Sequence, residues 1–104
     1  QVEDLSLSIN VLILNAGVFI SRYERSAEGY EKHFAINHLG HFVLTNALIP
    51  LLISGATDDF MSRVIVVASH SHYQGEINFN RIPLTIDSFG SIITQKAYAQ
   101  SKLC

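Results

Sequence analysis

Residues 9–17 read "INVLILNAG", and the character of this run decides the fold. Its centre, "VLIL", is unbroken, apolar and partly β-branched, and Asn15-Ala16-Gly17 closes it at once. An unbroken apolar run predicts a strand covered on both faces, as in a parallel sheet; a half-solvated antiparallel strand would alternate. The period then changes. In "SAEGYEKHFAINHLGHFVLTNALIPLL" (26–52), Phe34, Leu39, Phe42, Val43 and Leu48 recur at helical spacing. Ser26 stands where an N-cap is wanted, with Glu28 in the first turn. Pro50 marks a break or kink near the far end. "SGATDD" (54–59) reads as a turn and "SRVIVVAS" (62–69) as a second buried strand. Residues 70–92 read as a long loop with weak β-like pieces, and a helix starts at about Thr94. Strand, helix, strand, helix predicts an α/β fold: a right-handed crossover and a parallel sheet with helices on its faces.

Composition narrows the setting. A chain of 104 residues is one domain at most. It is 48% hydrophobic and only 15% charged, more apolar than a free-standing small domain needs, which predicts a piece of a larger one. A net charge of −2 supplies no basic patch and argues against a nucleic-acid partner. The single cysteine, Cys104, excludes an internal disulfide framework, and the last position is a poor one for a catalytic thiol. The sequence shows no initiating methionine, signal peptide or long uncharged apolar run.

In open α/β sheets ligands gather at the carboxyl ends of the strands. Those ends are Asn15-Ala16-Gly17 and Ala68-Ser69. In "KAYAQSKLC" (96–104), Tyr98 and Lys102 lie four residues apart, on one face of a helix. A free phenol has a pKa of about 10, and a nearby cation favours its phenolate; Lys102 is that cation. Ser69 can hold a substrate oxygen beside the phenol. Asn37, polar within an apolar helix, can join backbone and ordered water to a site. Each residue also has a plainer reading: Tyr98 as packing, Lys102 as a solvated charge, Ser69 as a strand-end cap, Asn37 as a satisfied core amide, Asn15 and Gly17 as a turn. His38 and His41 have metal-ligand spacing but no third ligand in a fitting place, so no metal site is expected. His70 and His72 are read as surface of a substrate loop. Phe34, Phe42 and Leu48 are read as core or subunit interface.

Four of these stretches together resemble the short-chain dehydrogenase/reductase family. "LNAG" (14–17) is similar to its Asn-Asn-Ala-Gly motif, with Leu14 in place of the first asparagine. "INHLGHF" (36–42) resembles the helix that carries its catalytic asparagine, at Asn37. "RVIVVAS" (63–69) resembles the strand ending in its catalytic serine, at Ser69. "YAQSK" (98–102) matches its Tyr-x-x-x-Lys motif. "HLGHF", "SHSHY" and "AYAQSKL", with the long insert between Ser69 and Tyr98, resemble the retinol-dehydrogenase-like and WW-domain-oxidoreductase-like subgroup.

The resemblance implies the central fragment of a Rossmann-like, doubly wound parallel sheet, from the fourth strand to the Tyr-x-x-x-Lys helix. The glycine-rich pyrophosphate loop has no match here, since the six glycines are scattered at 17, 29, 40, 55, 75 and 90. The intact parent is then expected to move a hydride between NADP or NAD and a lipophilic alcohol or carbonyl: a retinoid, a steroid or another lipid. Tyr98 would transfer the proton, Lys102 would serve phenol and ribose, Ser69 would hold the substrate oxygen, and Asn37 would keep a water link toward Lys102. Asn15, Ala16 and Gly17, with Tyr98 and Lys102, would line the cofactor. The family setting is intracellular, cytoplasmic or associated with the endoplasmic reticulum; membrane association would come through segments outside this chain, and the parent could be a homodimer. A different class of reading makes the chain an inactive truncated product that binds a protein partner through its exposed helix.

Overall fold

Two strands pair as the apolar runs demand. In the computed structural model, which describes residues 7–79 and 91–104, β1 (Val11–Leu14) and β2 (Arg63–Val66) lie parallel. Val11 stands opposite Arg63 and Leu14 opposite Val66. The ladder runs on at both ends, through Arg63 N–H to the Asn10 carbonyl (2.9 Å) and Val67 N–H to the Leu14 carbonyl (3.2 Å). Between the strands comes a helical stretch, α1 (Lys32–Gly55), whose residues Ala35–Leu39 form a π-helical turn. A 3₁₀ helix, His70–Gln74, follows β2, and α2 (Ser91–Leu103) closes the chain. The α/β class and the parallel pairing are those of a Rossmann-like fragment.

The chain divides into two compact units. Gln1–Asn15 with His41–Val67 make the first, and Ala16–Gly40 with Ala68–Cys104 the second. In the first, β1 meets the end of α1. Ile9 N–H donates to the Leu51 carbonyl (3.0 Å), and the Asn10 side-chain amide donates to the Gly55 carbonyl. Gly55 lies against the Ile9 backbone so closely that a Cβ would collide with it. Leu14, Leu51 and Leu52 are the buried large apolar residues of this unit among the described residues.

The expectation of strands covered on both faces is not met. Ile13 is 58% exposed and Val66 66%, and every residue of β2 is exposed. Two strands and one helical stretch in this unit have too little mass to cover two sheet faces.

The second unit corrects the helix start. Ser26 is not its cap. Ser26 to Tyr30 form a tight turn closed by Ser26 N–H to the Tyr30 carbonyl (2.8 Å), and Gly29 takes φ 89°, a left-handed value that glycine adopts without strain. The cap is Glu31, whose carboxylate accepts from the amides of His33 and Phe34. The other boundaries also move. The helix passes through Pro50 to Gly55, although Pro50 has no N–H for the Asn46 carbonyl. Residues 70–74 are a 3₁₀ turn rather than loop, and α2 begins at Ser91, three residues before Thr94. Of the β-like pieces read into 70–92, none forms a strand over residues 75–79, and residues 80–90 fall outside the described residues. The expectation of no long uncharged apolar run is also corrected: α1 carries no Asp, Glu, Lys or Arg after Lys32 and is long and apolar enough to cross a membrane by length and composition, a test that a soluble protein's core helix also passes.

Candidate active site

Asn37 organises the second unit. The π-helical turn carries it inward, and its side chain is buried; π turns of this kind recur at functional sites. Its Oδ1 accepts from Val18 N–H (2.8 Å), while Nδ2 donates to the Val18 carbonyl (3.0 Å) and to Ser101 Oγ (3.0 Å). Both amide hydrogens are thus used, and one Oδ1 lone pair remains. Ser101 Oγ passes the connection on by donating to the Tyr98 carbonyl (2.7 Å). One asparagine therefore ties the segment after β1 to the turn of α2 that bears Tyr98 and Lys102.

Gly17 lies at the same place. A Cβ there would sit 3.2 Å from both Asn37 Oδ1 and Lys102 Nζ, so those two atoms are no further apart than twice that distance. A larger residue would press on both, and glycine keeps the approach open. A small residue beside an ammonium and an amide suits close approach of a polar ligand. Gly17, Asn37 and Lys102 are thereby brought together, and Tyr98 is linked to them by its carbonyl through Ser101, with Ala16 exposed next to Gly17. Asn15 is exposed at the end of the strand unit, and no hydrogen bond of its side chain helps to define the site.

Ser69 sits at the N-cap of the 3₁₀ helix in extended backbone (φ −147°, ψ 150°). Its Oγ accepts from Ser71 N–H (3.2 Å), which leaves the hydroxyl hydrogen for another oxygen. Its carbonyl faces His72 Nδ1 at 2.6 Å. The far end of this turn packs on α2: a Cβ at Gly75 would sit 2.7 Å from the Ala99 carbonyl, one residue from Tyr98. Ser69 thus has the plain role of a strand-end cap, and its hydroxyl is tied to this turn.

The Tyr98 ring is flanked by two others. Phe19 meets it edge-on at 4.9 Å between centroids, and His33 at 5.8 Å. His33 is fully buried beside the equally buried Glu31, with His33 Nδ1 2.7 Å from Glu31 Oε1. Burial pushes the Glu31 carboxyl up, but the hydrogen bonds from the His33 ring and the Phe34 and His33 amides outweigh it and hold the group below its ordinary value. The sequence does not single out Phe19, Glu31, His33 or Ser101. The signal at His33 is slight: it is polar in the same helical stretch, four residues before Asn37. Glu31 stands two residues before it, at the cap.

Of the other sequence candidates, His38 stacks on Phe34 at 5.3 Å, and His70 and His72 pack on Tyr73 at 5.2 and 4.1 Å. Among the described residues, no three His, Cys, Asp or Glu side chains gather as a metal site. Phe42 is exposed, as are Val43 and Leu44 beside it.

No family model matches the chain. Individual proteins do. The chain is 38% identical over 97 residues to the human polyprenol dehydrogenase, covering 93% of this chain and 28% of that protein. It is 44% identical over 95 residues to retinol dehydrogenase 14 of Mus musculus, covering 91% of this chain and 26% of that protein. Short-chain dehydrogenase/reductase prx1 of Penicillium rubens is 37% identical over 93% of the chain and 27% of its own length. Among solved structures, an uncharacterized protein from Mycobacterium Paratuberculosis matches with a TM-score of 0.75 and 38% identity, over 92% of this chain and 32% of that one. The chain spans about a quarter of the length of the curated relatives it matches. Over the part it spans, the chain resembles the short-chain dehydrogenase/reductase family and its retinol-dehydrogenase-like members.

Proposed function

We propose that this chain is the catalytic middle of a longer nicotinamide-dependent oxidoreductase acting on a lipophilic alcohol or carbonyl. The observation that carries the reading is the tie from Asn37 through Ser101 to the Tyr98 turn, with Lys102 Nζ and Asn37 Oδ1 beside Gly17. A retinoid, a steroid or another lipid is the substrate class, in keeping with the names of the relatives. Its setting would be cytoplasmic or at the endoplasmic reticulum.

NADP or NAD, when bound, supplies or accepts the hydride. The close approach at Gly17 and the ammonium of Lys102 suit such a group, and Asn15, Ala16 and Gly17 with Tyr98 and Lys102 would hold it. In this reading Tyr98 gives its phenolic proton to the substrate oxygen in reduction and takes it back in oxidation. Lys102 would hold the ribose and set its positive charge on the helix that bears Tyr98. Ser69 donates its hydroxyl hydrogen to the same substrate oxygen, fixing that oxygen by the phenol. The remaining lone pair of Asn37 Oδ1 can accept from a water that reaches toward Lys102.

The test is cofactor titration and steady-state kinetics on the intact protein. Lys102→Ala should weaken NADP(H) or NAD(H) binding and lower kcat together. Ser69→Ala should lower kcat and leave cofactor affinity nearly unchanged. Normal cofactor affinity and rate in Lys102→Ala would contradict the reading.

A further inference from the structure

We infer that Glu31 and His33 form a positioning unit for the Tyr98 phenol; the inference rests on the role given to Tyr98 above. Three observations meet here. The pair is buried, His33 at 0% and Glu31 at 2% exposure. The imidazole is fixed at both nitrogens: Nδ1 lies 2.7 Å from Glu31 Oε1, and Nε2 accepts from Ile20 N–H at 2.9 Å. The ring then stands against Tyr98, with centroids 5.8 Å apart and planes at 73°.

The hydrogen bonds set the tautomer. A backbone N–H can only donate, so Nε2 carries no proton and the proton lies on Nδ1, donated to the carboxylate. The carboxylate has two further partners, the amides of His33 (3.1 Å) and Phe34 (2.8 Å), so Glu31 cannot turn away without uncapping α1. Glu31 thus orients His33, and His33 fixes the amide of Ile20. Asn37 fixes Val18 from the other side. The residue between them is Phe19, clamped on both flanks, and its ring meets Tyr98 edge-on at 4.9 Å. Two rings, one held directly and one through its backbone, therefore bound the phenol.

Helix capping alone does not require this arrangement. A Glu cap needs no histidine, and a buried acid–imidazole pair commonly stabilises less than an apolar pair of equal volume. What the histidine adds is a ring of fixed orientation on Tyr98 and a hold on Ile20. Small displacements of a reacting group lower rates steeply, up to about 10²-fold for roughly 1 Å.

The experiment uses the intact protein and compares His33→Phe, His33→Gln and His33→Asn. His33→Phe keeps a ring against Tyr98 and loses both hydrogen bonds. His33→Gln can place an amide oxygen where Nε2 accepted, whereas His33→Asn can only renew the donor toward Glu31. The expected result is a fall in kcat of about tenfold or more in His33→Phe, with cofactor KM within about twofold. His33→Gln should recover most of that loss and His33→Asn little. A folded His33→Phe with parental kcat, lowered only in melting temperature, would overturn the proposal, because structural support alone predicts that pattern. If His33→Phe does not fold, imidazole ¹⁵N shifts of the parental protein decide. A protonated Nδ1 with a bare Nε2 supports the unit, and the opposite tautomer or an imidazolium overturns it. A parental protein with no alcohol oxidation or carbonyl reduction would sink the reading of Tyr98 as well. An active parent indifferent to His33→Phe would sink the present inference alone.

Discussion

The two units of this chain solve burial in opposite ways. Among the described residues, the strand unit buries Leu14, Leu51 and Leu52 and leaves Ile13, Ile53 and Val66 largely in solvent. The other unit buries Glu31, His33, Asn37, Thr94, Gln100 and Ser101, more polar groups than its buried alanines Ala97 and Ala99. Apolar burial is non-directional, so an incomplete sheet leaves apolar area uncovered but breaks no specific bond. Buried polar groups are directional, and each lost partner costs about 1–3 kcal/mol. The strand unit should therefore tolerate substitution, while the polar unit should not.

The largest effect is expected at Asn37. Asn37→Ala removes three hydrogen bonds and leaves Val18 N–H, the Val18 carbonyl and Ser101 Oγ to find new partners. The expected loss is about 3 kcal/mol or more, from roughly 1–3 kcal/mol per orphaned buried group. Urea unfolding of the intact protein measures it; a loss below about 1 kcal/mol would show that water replaces the clamp.

Gly75 comes next. Gly75→Ala would place a Cβ 2.7 Å from the Ala99 carbonyl and 3.1 Å from the His72 carbonyl, both backbone atoms that yield poorly. A cost of about 1–3 kcal/mol is expected. Because the turn carries Ser69 at its other end, kcat should fall more than cofactor affinity, read from the same kinetics.

The smallest effect is expected in the strand unit. Val66→Thr keeps the β-branched shape at an exposed position of β2. In the isolated 104-residue chain it should change stability by no more than about 0.5 kcal/mol. Monomer content, followed by light scattering, should rise, because exposed apolar edge strands template pairing. A large loss of stability would mean that the strand unit is packed as tightly as the polar one.

The sequence showed much of this, unevenly. The apolar runs announced both strands and their parallel pairing, because a strand's period is short and its residues are local. Asn37, Tyr98 and Lys102 are legible as polar exceptions or as an i, i+4 pair; Asn37 Oδ1 and Lys102 Nζ both lie beside Gly17, and Tyr98 joins Asn37 through Ser101 by its carbonyl. The start of α1 was misplaced because Ser26 satisfies the cap rule locally, while the φ of Gly29 and the reach of Glu31 are properties of the folded turn. Two-face burial of β1 was over-read, since periodicity tells which face wants cover and cannot tell whether cover is at hand. Glu31 and His33 carry no such local mark, because their partners lie elsewhere in the chain: Ile20 is thirteen residues before His33, and Tyr98 sits on another helix.

The claim that most needs testing is that Tyr98 transfers the proton. Tyr98→Phe removes one oxygen and keeps the ring that Phe19 and His33 touch. The single measurement is kcat of this variant in the intact protein, at saturating cofactor and alcohol or carbonyl. The account predicts a fall of at least ~10²-fold, the usual loss with a general acid–base group, in a protein that folds as before. A variant that keeps more than about half of the parental rate would contradict it.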